Sequence, residues 1–170
     1  MTLPAPEQHR SYAPSSVPCL ILTLSDTRTF ETDTSGQAMR AMLEEAGHQV
    51  LGYHVIPDDP MRLKALLINA LADPGIHVIL TNGGTGISRR DGTVEVIESF
   101  LEKRLDGFGE LFRYLSYQEI GAAAMMSRAV AGIHQGRVLI ALPGSTGAVR
   151  LGMEKLVIPE LTHMVSQARR

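Results

Sequence analysis

The chain has one cysteine in 170 residues, and no stretch approaches the ~20 consecutive apolar residues of a membrane span. Cys19 stands inside the apolar run CLILTL (19–24), so an internal disulfide is excluded. A buried free thiol suits a reducing compartment, and a cytoplasmic location is expected. Charge of one sign is also missing: 16 Lys and Arg stand against 18 Asp and Glu, net −2, mixed along the chain rather than blocked. That balance gives a nucleic-acid partner no electrostatic support and favours a small or mobile ligand. The first 17 residues hold Pro4, Pro6 and Pro14 but no apolar h-region, so no signal peptide is expected there. They read as a flexible N-terminal arm preceding one domain over 18–170. The six histidines (9, 48, 54, 77, 134, 163) show neither HxH nor HExxH spacing, so a protein-bound transition metal is not expected.

What is present is ordinary globular material, 44% hydrophobic and 20% charged, long enough to bury a core unaided. Residues 19–24 read as a buried strand running into Ser25-Asp26-Thr27. Asp33, Thr34 and Ser35 offer N-caps for a helix whose apolar positions Met39, Met42, Leu43 and Ala46 share one face before Gly47 closes it. Residues 50–56 form a second strand, and Asp59-Pro60 starts a second helix carrying Leu63, Leu66, Leu67 and Ala70. Residues 78–80 are a third strand, followed by Gly83-Gly84-Thr85-Gly86 and a helix from about Val94. Residues 137–142 are a further strand, with 129–134 pairing to it as a hairpin across Gln135-Gly136. A helix with Val149, Met153 and Leu156 follows, and a last one begins at Pro159. Alternating strands and helices predict an α/β fold in three layers, a mostly parallel sheet with helices on both faces.

Ligands of such sheets sit beyond the carboxyl ends of the strands, where the segments 25–33, 57–59, 81–91 and 143–145 converge. Gly83, Gly84 and Gly86 let backbone approach a ligand closely and offer N–H groups to an anion. Three glycines in four residues exceed the need of a single turn. The loop is neither a P-loop, since no Gly-Lys-Ser/Thr follows, nor a dinucleotide fingerprint, since Arg89 stands where the third glycine belongs. Arg89 and Arg90 beside it suit a polyphosphate. Asp91 either binds Mg²⁺ or a ligand amine, or caps the next helix. Asp59 reads as a cap, which leaves Asp58 free for the site. Ser145 either caps the helix after it or contacts phosphate.

The strings SDTR (25–28), DTSG (33–36), EAGH (45–48), TNGGTG (81–86), RRD (89–91), GFGELFR (107–113), SYQEIG (116–121), SRAVAG (127–132) and PGST (143–146) occur in this order. Together they resemble the MoaB/Mog family of molybdenum cofactor biosynthesis, most closely its B branch, over roughly residues 18–160. The resemblance implies the molybdopterin-binding fold, with molybdopterin, a pterin dithiolene ending in a phosphate, as ligand. Active relatives transfer AMP from Mg·ATP to that phosphate and release pyrophosphate; other members are non-catalytic binders. Relatives form trimers, and the B branch pairs trimers, so a homo-hexamer is expected.

Two acidic positions matter in active relatives, and they match Asp58 and Asp91 here. Keeping both, with Arg89 and Arg90, implies an adenylyltransferase. The expected catalytic residues are Asp58 and Asp91, with Asp91 as a Mg ligand. The expected ligand-binding residues are Ser25, Asp26, Gly83, Gly84, Thr85, Gly86, Arg89, Arg90, Ser127, Pro143, Gly144 and Ser145. Asp91-Gly92-Thr93 departs from the Mog pattern, where a bulkier residue and proline are common, and this bears on loop stiffness. The phosphate nucleophile is already ionised at neutral pH, so the site must supply alignment and charge neutralisation rather than a strong base.

Overall fold

A computed structural model describes residues 14–170; the expected arm, residues 1–17, lies mostly outside the described residues. Of its last positions, Val17 is fully buried, and its carbonyl accepts from the Gln49 N–H. Six strands follow in chain order: β1 (Pro18–Leu24), β2 (Gln49–Ile56), β3 (Val78–Asn82), β4 (Lys103–Arg104), β5 (Val130–His134) and β6 (Arg137–Leu142). They form one sheet in the order β2-β1-β3-β6-β5-β4. The first four of that order pair in parallel, while β5 is antiparallel to both β6 and β4.

The period-2 alternation of strand side chains sorts the core into two layers. Ile21, Leu80 and Ile140 point to one face, where α1 (Thr34–Glu45), α4 (Asp106–Ile120), α5 (Thr146–Gly152) and α6 (Ile158–Ala168) cover them with Met39, Phe112, Val149 and Leu161. Leu22, Ile79 and Leu139 point to the other face, under Leu63 and Leu67 of α2 (Pro60–Ala72) and Ile97 of α3 (Thr93–Phe100). Each such buried aliphatic contributes about 1.5–3 kcal/mol relative to exposure. Helices on both faces of a mostly parallel sheet are the architecture expected.

The hairpin between β5 and β6 turns on Gln135 (φ 46°) and Gly136 (φ 74°), two positive-φ residues as a two-residue primed turn requires. One local reading needs correction. The last helix does not start afresh at Pro159: α5 runs through a wide π turn, Met153–Val157, straight into α6. Ile158 N–H reaches back to Met153 O, five residues earlier, and this widened turn precedes a proline that has no N–H to give. Helix α4 is ended by Gly121 (φ 64°), and a 3₁₀ stretch, Gly121–Met126, follows it. Strand β4 was not foreseen at all.

Registers Leu24↔Ile56, Thr23↔Asn82 and Asn82↔Leu142 bring the carboxyl ends of β1, β2, β3 and β6 to one edge. The loops that leave those ends build the site.

Candidate functional site

The glycine loop begins where β3 ends. Gly83 (φ 92°) and Gly84 (φ 61°) both lie in the left-handed region, which disfavours any side chain. A Cβ on Gly83 would collide with the carbonyl oxygen of Leu24 in β1, so this glycine serves close packing of backbone on backbone. Its N–H is used as well, donating to Leu142 O at 3.2 Å. Gly83 therefore fastens the loop and offers no free N–H to an anion.

The next three residues behave differently. Every carbonyl is engaged: Gly84 O accepts from Thr93 N–H at 3.0 Å, Thr85 O from Arg128 Nε at 2.9 Å, and Gly86 O from Arg128 Nη2 at 2.7 Å. The N–H groups of Gly84, Thr85 and Gly86 meet no acceptor among the described residues. A short run with its carbonyls tied up and its N–H groups unmatched is a ready anion cradle. The next helix, α3, starts at Thr93 with no side chain capping it.

Carboxylates crowd the same place. Asp26, after β1, accepts from the Asp58 N–H at 3.1 Å through Oδ1 and pairs with Arg90 Nη2 at 2.8 Å through Oδ2. Asp58, after β2, buries its Oδ1 with no hydrogen-bond partner, 2.5 Å from where a Cβ on Gly84 would stand. Burial, and then the charges of Asp91 and Asp26, push the Asp58 carboxyl above its ordinary range, with Arg90 opposing them. Asp91 Oδ2 accepts from the Ser88 N–H at 2.8 Å and borders Gly86. It does not cap α3, whose N-cap is Gly92, so the capping alternative falls and its carboxylate belongs to the loop.

A cleft of about 350 Å³ is lined by Gly83 to Gly86, Asp91, residues 126–128, Pro143 and Gly144, so Arg128 borders it too. Gly144 packs so tightly there that a Cβ would lie 3.0 Å from Gly83 Cα. Ser25 sits on the β1 side, its Oγ accepting from the Thr27 and Arg28 N–H groups. Ser145 is the N-cap of α5, accepting from Ala148 N–H at 3.3 Å; Asp59 caps α2 as read from sequence. Arg89 is exposed and meets no partner among the described residues, whereas Arg90 is committed to Asp26.

Sequence reasoning missed Arg128, although it stands inside SRAVAG, because nothing local says that its guanidinium reaches 42 and 43 residues back. It also missed the clasp beside Gly144, where Ser35 Oγ donates to Gly144 O at 2.8 Å and Thr146 Oγ1 lies 2.8 Å from Thr34 Oγ1. Behind it Asp33, fully buried, caps α1 through Gly36 N–H and accepts from Tyr53 Oη at 2.5 Å.

A mostly parallel α/β sheet whose carboxyl edge carries unmatched loop N–H groups beside grouped carboxylates has the architecture that suits a small phosphate-bearing ligand. Residues 20–163 match the family described as "Probable molybdopterin binding domain". The chain is 49% identical over 162 residues to molybdenum cofactor biosynthesis protein B of Halalkalibacterium halodurans, covering 95% of each chain. A crystal structure of a molybdenum cofactor biosynthesis protein B is 48% identical, with TM-score 0.89 over 93% of this chain and 99% of that one. The tungsten cofactor synthesizing protein MoaB of Pyrococcus furiosus, 37% identical, gives TM-score 0.83 over 93% and 100%. The chain belongs to the MoaB/Mog family, in its B branch, and is a molybdenum cofactor biosynthesis protein with a molybdopterin-binding domain. Among the described residues no helix is long and apolar enough to cross a membrane.

Proposed function

We propose that this protein binds molybdopterin at the glycine-loop cleft and adenylylates it with Mg·ATP. A terminal phosphate oxygen of molybdopterin attacks the α-phosphorus of ATP. The bond from that phosphorus to the β-phosphate bridging oxygen breaks, and pyrophosphate leaves. The observation that carries this reading is the pairing of three unmatched loop N–H groups with the Asp58 and Asp91 carboxylates.

The N–H groups of Gly84, Thr85 and Gly86 hold phosphate oxygens and align the reacting groups. Arg89, exposed and uncommitted, offsets phosphate charge at the rim. Asp58 and Asp91 are hard oxygen donors, and the orphaned Asp58 Oδ1 fits a demand for a cationic or proton-bearing partner. Among the described residues no group of three or more His, Cys, Asp or Glu is arranged to hold a metal alone. Asp91 would supply a protein oxygen to magnesium carried on the triphosphate, and magnesium held there would neutralise charge on the leaving phosphates. Ser25, Ser127 and Ser145 border the ligand; Ser145 does so from its capping position. The working assembly is a homo-hexamer in the cytoplasm. The test is pyrophosphate release from Mg·ATP on adding molybdopterin. Binding of molybdopterin without release would instead support a non-catalytic carrier.

A further inference from the structure

Arg128 comes from a part of the chain remote from the glycine loop, yet no other side chain hydrogen-bonds to the carbonyls of residues 83–86 among the described residues. It lies between the 3₁₀ stretch and β5, two residues before the strand begins. From there one guanidinium makes two bonds to successive carbonyls, Nε to Thr85 O at 2.9 Å and Nη2 to Gly86 O at 2.7 Å. The same group is held from behind by Glu95 of α3, whose carboxylate accepts from both Nη1 and Nη2. The remaining loop carbonyl, Gly84 O, is taken by the first residue of that same helix, Thr93.

Carbonyl and N–H of one peptide unit point in opposite directions, because the unit is planar and trans. Fastening the carbonyls of residues 84, 85 and 86 therefore fixes where the N–H groups of residues 85, 86 and 87 point. A glycine-rich segment has more conformational freedom to lose than any other. Left alone, Gly84-Thr85-Gly86 would sample many arrangements, and an anion would bear the cost of ordering them. A rigid planar fork with donors at fixed spacing is the side chain suited to hold two carbonyls at once; an ammonium is not.

We propose that Arg128 is the positioning residue of the anion cradle: by clamping the carbonyls of Thr85 and Gly86 it presents the N–H groups of Gly86 and Ile87 to phosphate, with Glu95 holding the clamp in place. Its charge is shared with Glu95 and the carbonyls, so although it borders the cleft it acts through the loop. The Glu95 carboxyl is held below its ordinary range chiefly by the Arg128 hydrogen bond, in keeping with a pair that stays charged. This inference rests on the proposed use of the loop as a phosphate site.

The test compares Arg128→Gln, Arg128→Lys and Glu95→Gln with wild type in two measurements. The first needs no ligand: hydrogen exchange at the amides that anchor the loop, Gly83, Ser88, Asp91 and Thr93. Exchange at least tenfold faster in Arg128→Gln and Arg128→Lys, with β1 and β6 unchanged and a smaller effect in Glu95→Gln, is expected. The second is titration with molybdopterin, where both Arg128 variants raise Kd at least tenfold. Unchanged loop exchange in Arg128→Gln overturns the proposal. So does wild-type binding by Arg128→Lys, which would make the charge and not the fork the active feature. Loosened exchange together with no molybdopterin binding by wild type would keep the clamp and sink the proposed ligand instead.

Discussion

Replacing Gly84 by valine tests whether the loop is an anion site or only a turn. The backbone there sits at φ 61°, and a Cβ would overlap Thr93 Oγ1 and stand 2.5 Å from Asp58 Oδ1. A non-glycine residue held in the left-handed region costs about 1–3 kcal/mol. For a chain of this length that lowers the melting temperature by roughly 2–4 °C per kcal/mol, so a drop of a few degrees up to about 12 °C is expected. The effect on binding is larger. Losing two charge-assisted hydrogen bonds from loop N–H groups to phosphate costs about 1.5–3 kcal/mol each, a weakening of roughly 100-fold or more. Arg89→Ala removes an exposed charge worth about 0–1 kcal/mol, less than about tenfold. Titrating molybdopterin into both variants compares them directly, and Gly84→Ala substitutes if the valine variant is unfolded. Gly83→Ala is the control, because its Cβ strikes the Leu24 carbonyl and should damage stability first. Binding by Gly84→Val as tight as by Arg89→Ala would place the phosphate elsewhere.

Asp91→Ala should abolish AMP transfer while costing only about 1 kcal/mol of stability, the value of its bond to Ser88 N–H; full turnover with a lowered melting temperature would leave it a loop brace. Light scattering should report a hexamer, since Leu111, Tyr114, Tyr117, Ile120, Met125 and Met126 form an exposed apolar group over α4 and the 3₁₀ stretch; a monomer at micromolar concentration would contradict this. Tyr53→Phe leaves the fully buried Asp33 carboxylate short of its phenol donor and should lower stability by about 1–3 kcal/mol in a denaturant titration, with no loss if water replaces the phenol freely.

The four parallel strands were legible because each is a short apolar run bounded by proline, glycine or acidic residues, and the hairpin because Gln135-Gly136 tolerates positive φ. The caps Asp33 and Asp59 were legible for a similar reason, since side chain and helix start are neighbours in sequence. Strand β4 was not. Lys103 and Arg104 are polar, and their pairing depends on Ile133 and Gly132, some thirty residues away. The π turn escaped because proline was read as a start signal, whereas the preceding turns widened and carried the helix through. In the site, residue types were readable but their division of labour was not. Nothing in the string GGTG tells that Gly83 spends its N–H on Leu142 while the next three keep theirs, nor that Arg90 closes on Asp26 and Arg89 stays open. Those facts are set by contacts between loops that only the sheet order brings together.

The central claim is adenylylation at this cleft, and product analysis reaches it most directly. Purified protein is incubated with Mg·ATP and molybdopterin, and pyrophosphate and AMP-bearing molybdopterin are both counted, alongside Asp58→Asn and Asp91→Asn. The account predicts one pyrophosphate for each adenylylated molybdopterin, none without molybdopterin, and none from either variant. Molybdopterin bound by the wild-type protein with neither product formed would contradict it.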